Sequence, residues 1–471
     1  MDERMKIMET AVSFVDSGRF FDELDALVQR QTVSTNTADG FEMKSYLEEM
    51  IAPRLGLMGF ENTLHPNWND GSNSFLVARR VESPELPTVL CYGHADVVDG
   101  HEGQWDNARE PFTLTAEGER WYGRGSADNK GQHLVNLKAL EILFAARGAL
   151  GFNLVFLLEA GEEIGSPDLA EFAAAHRQEL AADVFIASDG PRLSAQDPTI
   201  FLGARGGVGI ELRVDLRPDS YHSGNWGGLI RNPATTLAAA IGVLVDGHGR
   251  IKVPGLLPAD LPAAVRKALE GIEVGTGAND PIIDAGWGDT TLSAAERVYG
   301  WNTLEVLAMG AADVKNPVNA IPGSATAMLQ LRHVVGTDID GLEALIQQHL
   351  DEAGFDMVTT HVIDSFPASR TEPDSPWVTW AADSLAESTG RAPVILPNIG
   401  GSLPNHVFEA VLGLPTLWIP HSYPGCLQHA PNEHMLEPIA RQGLALMCGL
   451  FYDLGVRANS PFDPGNRANG F

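Results

Sequence analysis

Short apolar runs alternate with amphipathic segments in the first half of the chain. Between Pro87 and Asp189, three runs of consecutive apolar residues are separated by stretches in which apolar residues recur at helical spacing. Buried strands that alternate with helices are typical of a mostly parallel sheet that is covered on both faces. The pattern predicts strands at residues 88–92, 152–158 and 184–187, and helices at residues 133–146 and 167–180.

The pattern changes after a glycine-rich stretch, residues 203–207. Residues 208–216 alternate apolar and polar side chains, which is typical of a strand with one buried face. A helix, two strands, a helix and a strand are predicted to follow, which is the split β-α-β order of a ferredoxin-like unit. These five segments are residues 233–245, 304–309, 325–333, 338–350 and 355–362, and a Pro- and Gly-rich stretch, residues 251–299, elaborates the unit.

The doubly wound pattern resumes near the C-terminus, with a helix, a strand and a helix predicted at residues 377–388, 417–420 and 437–451. We therefore predict an α/β domain with a mostly parallel sheet, residues 1–203 plus 371–471, interrupted by an inserted α+β domain, residues 204–370. Residues 1–33 are expected to form one amphipathic helix. The tail after Arg457, which is rich in Asn, Pro and Gly, is expected to be poorly ordered.

Composition narrows the class of protein. The 62 acidic and 32 basic residues give a net charge of -30, and no Lys/Arg-rich block occurs, so we expect no nucleic-acid partner. Three cysteines form no disulfide framework and fit a reducing compartment. The start of the chain does not resemble a signal peptide, and no run of ~18 apolar residues predicts a membrane span. We therefore expect a cytoplasmic protein without a membrane partner.

Five short segments place acidic or imidazole side chains in loops, most of them at the ends of the predicted apolar runs. In open α/β sheets, ligands bind along the carboxyl ends of the strands. Together the segments supply ligands for two divalent metals and one further carboxylate, which is the equipment of metal-assisted hydrolysis. They are His94-Ala95-Asp96, Asp128-Asn129-Lys130-Gly131, Glu162-Glu163, Asp189-Gly190 and His429-Ala430-Pro431.

Several of these segments also have an ordinary structural interpretation. Asp96 can hydrogen-bond His94 and orient its imidazole, although the two could also be a solvated loop pair. Asp128 could cap the following helix, but two metals ~3.5–4 Å apart need a bridging carboxylate, and Asp128 is the candidate. Asp189 would be a terminal ligand or a turn-forming residue.

The glutamate pair Glu162-Glu163 is the sharpest signal. Two adjacent glutamates repel each other in one dry site unless one binds a cation and the other takes a proton from water. Two solvated loop glutamates are the alternative, which the apolar run leading into them weakens. Glu159 is expected to have a supporting role. We favour His429 over Cys426 as a ligand, because a single Cys-x-x-His is weak evidence for a thiolate site.

These segments resemble the signature of the co-catalytic di-zinc metallopeptidases and amidohydrolases. That family includes the aminoacylases, carnosine dipeptidases, acetylornithine deacetylases and succinyl-diaminopimelate desuccinylases. The resemblance covers residues 20–451, with the motifs in the same order. The motifs that carry it are His94-Ala95-Asp96, Gly123-Arg124-Gly125-Ser126-Ala127-Asp128-Asn129-Lys130-Gly131, Glu162-Glu163, Asp189 and His429.

The resemblance implies two divalent metal ions per subunit, zinc first, with manganese and cobalt as alternatives that suit oxygen and imidazole ligands equally. Asp96 would orient His94. Glu162 would be the general base and then the acid that protonates the leaving amine. A cis peptide bond between Asp128 and Asn129 is also implied. The implied metal ligands are His94 and Asp189 for one ion and Glu163 and His429 for the other, with Asp128 bridging.

The inserted domain resembles the lid and dimerisation domain of the family, which implies a homodimer. His222-Ser223-Gly224 resembles the motif whose histidine reaches the site of the partner subunit and stabilises the tetrahedral oxyanion. Arg332 resembles a contact to the carboxylate of the substrate, since a guanidinium donates two parallel hydrogen bonds to it. A surface ion pair is the alternative for Arg332. Asn319 and the loop Gly400-Gly401-Ser402 resemble further substrate contacts.

We therefore expect a metal-dependent hydrolase that cleaves the amide bond of a dipeptide, or of a similarly small substrate with a free carboxylate, by Glu-assisted attack of metal-bridging water. Asp189 stands where deacylases usually have Glu, which resembles the dipeptidase branch. An N-acyl amino acid amidohydrolase is the alternative. A catalytically inactive binding protein is a third hypothesis, against which the complete ligand set and the presence of Glu162 argue.

Overall fold

The computed structural model describes residues 2–35, 41–70, 73–277, 280–456 and 461. The chain divides into two compact units. The first comprises Met1–Gly203, Thr371–Leu396 and Pro404–Phe471, and the second comprises Ala204–Arg370 and Pro397–Leu403. Residues 397–403, expected in the first domain, group with the second unit. The tail after Arg457, expected to be poorly ordered, lies outside the described residues except for Pro461.

The strands of the described residues, in chain order, are β1 (Glu61–His65), β2 (Phe75–Arg80), β3 (Thr88–His94), β4 (Thr115–Glu117), β5 (Arg120–Tyr122), β6 (Asn153–Glu159), β7 (Val184–Ala187), β8 (Thr199–Phe201), β9 (Gly203–Ala204), β10 (Gly206–Asp215), β11 (Tyr221–His222), β12 (Thr303–Gly310), β13 (Ala320–Ile321), β14 (Ser324–His333), β15 (Val358–Phe366), β16 (Ser369–Arg370), β17 (Val394–Leu396), β18 (Thr416–Trp418) and β19 (His434–Leu436).

The α-helices of the same residues are α1 (Glu3–Asp16), α2 (Arg19–Val28), α3 (Phe41–Ser45), α4 (Ala52–Leu57), α5 (Lys130–Arg147), α6 (Leu169–Ala175), α7 (Ser223–Trp226), α8 (Pro233–Leu244), α9 (Ala263–Leu269), α10 (Ala294–Tyr299), α11 (Leu342–Glu352), α12 (Pro376–Thr389) and α13 (Glu437–Val456). Shorter turns include a 3₁₀ turn at Glu162–Ile164 and a second one at Pro424–Cys426.

The first unit is built on an eight-stranded sheet with the order β1-β2-β6-β3-β7-β18-β8-β17. Its centre is parallel: β3 pairs in parallel with β6 and with β7, and β18 pairs in parallel with β7. The pairs β1–β2, β2–β6 and β18–β8 are antiparallel. Helix α13 packs against α1, α5 and α12. This is the predicted α/β architecture, with antiparallel strands added beyond its parallel centre.

The N-terminal segment is two helices and not the one that its amphipathic pattern predicts. Helix α1 ends at Asp16 and α2 begins at Arg19. Gly18 between them has a φ of 81°, a left-handed conformation that glycine adopts without a side-chain penalty. The chain can therefore turn there while both helices bury their apolar faces.

The second unit contains a four-stranded antiparallel sheet with the order β12-β14-β10-β15. Helix α8 contacts β10 and β14, and helix α11 contacts β15 and α8. The alternating apolar side chains of β10 are buried in the core of this unit. In chain order the elements β10, α8, β12, β14, α11 and β15 form the split β-α-β arrangement that the sequence predicts.

A small three-stranded sheet brings two distant loops of the first unit together. Strand β19 pairs antiparallel with β5, with His434 opposite Tyr122. The N–H of Gly123 donates to the carbonyl of Glu433 over 3.0 Å. The loop before β19 therefore lies beside the loop after β5.

Among the described residues, none of the helices has both the length and the apolar character needed to cross a bilayer.

Candidate metal centre

The parallel strands at the centre of the first sheet position three of the predicted segments. His94 is the last residue of β3, and the N–H of Ala95 donates to the carbonyl of Glu159 at the end of β6 over 2.8 Å. The Glu162–Ile164 turn follows β6, and Asp189 follows β7 two residues after its end. Neighbouring parallel strands end at the same edge of the sheet, so these side chains converge there.

Two loops complete the cluster. Asp128 precedes α5, and its peptide bond to Asn129 is cis, as the family resemblance predicts. The side-chain amide of Asn129 donates to the carbonyl of Ser188 over 2.9 Å, which ties this loop to the end of β7. His429 lies in the loop before β19, which the pairing of β19 with β5 places beside Asp128.

The two carboxylate oxygens of Asp128 face two different groups of side chains. On one side, His94 Nε2 lies 3.1 Å from Asp128 Oδ1 and 3.6 Å from Asp189 Oδ2. On the other, His429 Nε2 lies 3.2 Å from Asp128 Oδ2 and 3.0 Å from Glu163 Oε2. The structure thus brings the five predicted ligands together and sorts them into two groups that share one aspartate.

The donor set fits a pair of divalent cations. Nitrogen and oxygen ligands of one tetrahedral zinc, each ~2.0–2.2 Å from it, are separated by roughly 3.3–3.6 Å. The distances around Asp128 fall near that range. Asp189 Oδ2 is buried and, among the described residues, has no hydrogen-bond partner, although it faces His94. His94, Asp128 and Glu163 each offer one atom within 4.8 Å of the others.

Asp96 connects the imidazole of His94 with the glutamate turn. His94 Nδ1 lies 3.0 Å from the carbonyl of Asp96 and 3.4 Å from its Oδ1. The same carboxylate accepts the N–H of Glu162 over 3.1 Å and the N–H of Glu163 over 3.0 Å. Ser34 also donates to it over 2.8 Å. Asp96 therefore lies within hydrogen-bonding distance of His94, and it also holds the backbone that carries both glutamates.

The electrostatics of the centre are those of crowded carboxylates. Burial, and then the charge of Asp128, raise the pKa of Glu163 to about 7 and that of Asp189 to about 6. Burial also raises the pKa of Glu162 well above its ordinary value. Hydrogen bonds to Asp128 and Glu163 raise the pKa of His429 to about 11. Cations bound here would offset the repulsion between the carboxylates.

The metal-free protein should lose stability as the pH rises from about 5 to about 8. Between the ordinary carboxyl pKa of ~4 and the raised values of Glu163 and Asp189, the folded state holds protons that the unfolded chain has released. Unfolding free energy then falls with increasing pH. The raised pKa of His429 also makes the free energy of unfolding fall with increasing pH, above the ordinary histidine pKa of ~6.5. The lowered pKa of Asp128 has the opposite effect but acts below about pH 4. Burial lowers the pKa of His133 and of His421, and these two histidines oppose the decrease only below about pH 6.5.

Urea denaturation of chelator-treated protein at several pH values measures this trend. Zinc should reverse it, because cation binding requires deprotonated ligands. Asp189→Asn removes one of the titrating groups and should flatten the decrease in the metal-free protein. A denaturation midpoint that rises with pH in the metal-free wild-type protein would contradict the assignment.

Glu433 is a residue of the centre that the sequence patterns did not indicate. It is fully buried, and its carboxylate accepts the backbone N–H groups of Gly125, Ala127 and Asp128 over 3.0–3.1 Å. Its Oε2 also accepts a hydrogen bond from Arg124 over 2.6 Å. Glu433 thus holds the loop of Asp128 from within the loop of His429. Its position four residues after His429 is the one signal that could have drawn attention to it.

Two further residues have roles close to those expected. Glu159 accepts hydrogen bonds from the hydroxyl of Tyr92 over 2.6 Å and from the amide of Asn73 over 2.8 Å, which is a supporting role. Cys426 is buried, and burial raises its pKa to about 12, which disfavours the thiolate form. Gln428, which the sequence did not indicate, donates to Asp128 Oδ2 over 3.1 Å.

The other predicted site residues lie in the second unit and form two pairs. Strands β11 and β13 place His222 opposite Ala320, and the N–H of Ser223 donates to the carbonyl of Asn319 over 2.9 Å. Arg332 Nη1 donates to the hydroxyl of Ser402 over 2.6 Å. The ring of His222 is exposed, and its Nδ1 accepts the N–H of Gly224 over 3.1 Å.

Comparison with known proteins identifies the family. The sequence profile described as Peptidase family M20/M25/M40 matches residues 90–453. The chain belongs to this family. The family resemblance seen in the sequence is therefore confirmed, and the match includes the five candidate ligands and Glu162.

Curated relatives of this M20 family chain include two dipeptidases. The Beta-Ala-His dipeptidase of Mus musculus is 27% identical over 395 residues, which cover 80% of this chain and 79% of the relative. The Cysteinylglycine-S-conjugate dipeptidase of Corynebacterium striatum is 26% identical over 406 residues, which cover 82% of this chain and 84% of the relative.

Solved structures show the same M20 fold. Human carnosine dipeptidase 1 has a TM-score of 0.76 at 22% identity, over 95% of this chain and 99% of that chain. The M20 family metallo-carboxypeptidase Sso-CP2 from Sulfolobus solfataricus has a TM-score of 0.77 at 25% identity, over 93% and 99% of the two chains. The predicted α/β fold is confirmed by these likenesses.

Proposed function

We propose that this chain is a metal-dependent dipeptidase of the M20 family. The observation that carries the proposal is the sharing of Asp128 between two groups of ligands, one with His94 and Asp189 and one with Glu163 and His429. Dipeptidases among the curated relatives support the choice of substrate. A catalytically inactive binding protein would have no need for such an arrangement beside Glu162, a half-buried glutamate outside both groups of ligands.

We assign the two groups of ligands to two divalent cations, zinc first. Bound there, the cations would polarise the scissile carbonyl and promote deprotonation of the attacking water. Glu162 is the general base: it accepts the proton of that water and then donates it to the nitrogen of the leaving amine. Burial raises its pKa, which helps Glu162 to hold the proton between the two steps.

Substrate recognition is assigned to residues of the second unit. Arg332 is half-buried and oriented by Ser402, which in turn donates to the carbonyl of Arg205 over 3.1 Å. Arg205 Nη1 is buried and has no hydrogen-bond partner among the described residues. Two guanidinium groups with donors to spare suit a carboxylate. We assign the substrate's carboxylate to Arg332, with Asn319 as a further contact, and the oxyanion to His222.

A substrate panel tests the proposal against the alternative of N-acyl amino acid hydrolysis. The full chain, loaded with zinc, manganese or cobalt, is assayed with dipeptides and with acetyl, succinyl and aromatic-acyl amino acids. Dipeptides should have the higher kcat/KM. Faster cleavage of N-acyl amino acids, or no cleavage of any amide with metal bound, would refute the proposal.

Removing the negative charge of the substrate's C-terminal carboxylate should lower kcat/KM. A dipeptide with an amidated C-terminus should have a kcat/KM about 10- to 100-fold lower than its free acid, because a hydrogen bond to a charged group contributes roughly 1.5–3 kcal/mol. The same dipeptide in both forms is its own control. Equal kcat/KM for the two forms would contradict the assignment of Arg332.

We also propose that the chain forms a homodimer through its second unit. Strand β12 is an edge strand of the four-stranded sheet, and Val306, Leu307 and Met309 on it are exposed. An edge strand with exposed apolar side chains is a template for pairing with another chain. If β12 of a second copy of this chain pairs with β12 of the first, one two-fold axis relates the copies and the β12 edge of each is covered.

Leu307→Asp should convert the dimer to a monomer, because it places a charge in the centre of this exposed strand. Light scattering after gel filtration measures the mass. Leu57→Asp is the matched control, since Leu57 is 86% exposed and Leu307 is 63% exposed, and this control should remain dimeric. A monomeric wild-type protein, or a dimeric Leu307→Asp variant, would refute this interface.

We propose a cytoplasmic location as well. The three cysteines, Cys91, Cys426 and Cys448, are all free thiols, and all are buried. Free thiols are typical of proteins that work in a reducing compartment.

A further inference from the structure

A second cluster of metal-binding side chains lies elsewhere in the first unit. His65 is the last residue of β1, His176 directly follows α6, and Glu179 lies three residues further along. His176 Nδ1 is 2.9 Å from Glu179 Oε2, and His65 Nε2 is 3.8 Å from the same oxygen. Each of the three side chains offers one atom within 4.8 Å of the other two.

The surroundings of this cluster leave one of its nitrogen atoms unsatisfied. His65 Nε2 is buried and, within the part of the chain that the structure describes, has no hydrogen-bond partner. Phe172 lies beside both imidazoles, with ring centroids 5.1 Å from His65 and 4.3 Å from His176. Trp68 closes another side, 6.4 Å from His176. The ring of Phe172 has no hydrogen-bonding group, and among the described residues the indole N–H of Trp68 makes no hydrogen bond to His65 Nε2.

We propose that His65, His176 and Glu179 bind one divalent transition-metal ion, separate from the centre around Asp128. Two imidazoles and one carboxylate are a common ligand set for zinc, with solvent in the fourth position. The three side chains are 19%, 25% and 29% exposed, so the site is reachable from solvent. This site has no part in the proposed hydrolysis.

Binding of the ion takes the place of the hydrogen bond between His176 and Glu179. In the ion-free state one hydrogen bond joins those two residues and His65 stands apart at 3.8 Å. A cation joins all three, and so ties the end of α6 to the edge strand β1. Helix α6 is the first α-helix after the Glu162–Ile164 turn. The ion therefore fixes the C-terminal end of the segment that starts at Glu162, the proposed general base.

Zinc stoichiometry tests the proposal. The full chain is stripped with a chelator, loaded with excess zinc, dialysed and analysed for zinc per chain. We expect three ions in the wild-type protein and two in His65→Gln and in His176→Gln. His361→Gln, which changes an exposed histidine of the second unit, should retain three. The same zinc content in the wild-type protein and in both cluster variants would overturn the proposal, whatever number of ions the centre around Asp128 holds.

A spectroscopic measurement covers the case in which a cluster variant folds poorly. Cu²⁺ quenches nearby tryptophans, so binding beside Trp68 should quench the fluorescence of the wild-type protein more than that of Trp68→Phe. The difference should vanish in the Glu179→Gln background. Equal quenching with and without Trp68 would overturn the proposal. Dipeptide hydrolysis is assayed in parallel, so a failure of the proposed function and a failure of this site give different results.

Discussion

Glu162→Gln should lower kcat by about 10²- to 10⁴-fold, the usual contribution of a general base, while the metal content remains that of the wild-type protein. The amide has nearly the shape of the carboxylate but cannot accept a proton from water. The ligand contacts around Asp128 involve Glu163 and not Glu162, so the ligand groups remain intact. Asp96 still holds the backbone N–H of residue 162.

Steady-state kinetics with a dipeptide and zinc analysis of the same preparation measure the two quantities. Glu171→Gln, an exposed glutamate of α6, is the matched control and should keep both kcat and metal content. Turnover near the wild-type value in Glu162→Gln would refute the base assignment. Loss of metal along with activity would show that Glu162 is a ligand.

Glu433→Gln should lower the free energy of unfolding by about 3–5 kcal/mol, the usual cost of removing one partner from a buried ion pair. The side chain keeps its volume, so the loss is electrostatic and not a cavity effect. The guanidinium of Arg124 is left buried without its carboxylate. The new amide N–H₂ group also faces backbone donors of the Asp128 loop that the carboxylate now accepts.

The same variant should bind zinc at the candidate metal centre about 10- to 100-fold more weakly, as is usual when a residue that orients a ligand is changed. Urea denaturation and competition with a chelator measure the two effects. Glu61→Gln, an exposed glutamate on β1, is the control for both. A purely structural role would lower stability and leave the zinc affinity unchanged. That outcome would contradict the positioning of Asp128 by Glu433.

The parts of the fold that could be predicted are those with long apolar runs. The strands predicted at 152–158 and 184–187 correspond to β6 and β7 within one residue, because fully buried strands have no polar positions that blur their ends. Helix α6 is shorter than predicted: Asp168, with a φ of 62°, stands before its first residue. Strand β1, with the sequence ENTLH and mostly exposed or half-exposed positions, has no apolar pattern to find.

The candidate site could be predicted as far as its motifs are local. His94, Asp128 and Asp189 each follow or precede an element whose end the sequence indicates. Glu433 could not be predicted, because its partners lie about 305–309 residues away in the chain and are mostly backbone N–H groups. A hydrogen bond to a backbone N–H leaves no pattern in the sequence, and a single glutamate outside a motif is predicted to be a solvated surface residue.

The place of β18 in the first sheet determines when this protein can finish folding during synthesis. Strand β18 lies between β7 and β8, although 214 residues separate Phe201 from Thr416. When only the N-terminal half has been synthesised, the first sheet therefore lacks β18, the strand that joins β7 to β8. The second unit, whose four main strands are complete by Phe366, can fold first. Nascent chains stalled before residue 416 should thus expose the apolar flanks of the gap left by β18 to chaperones.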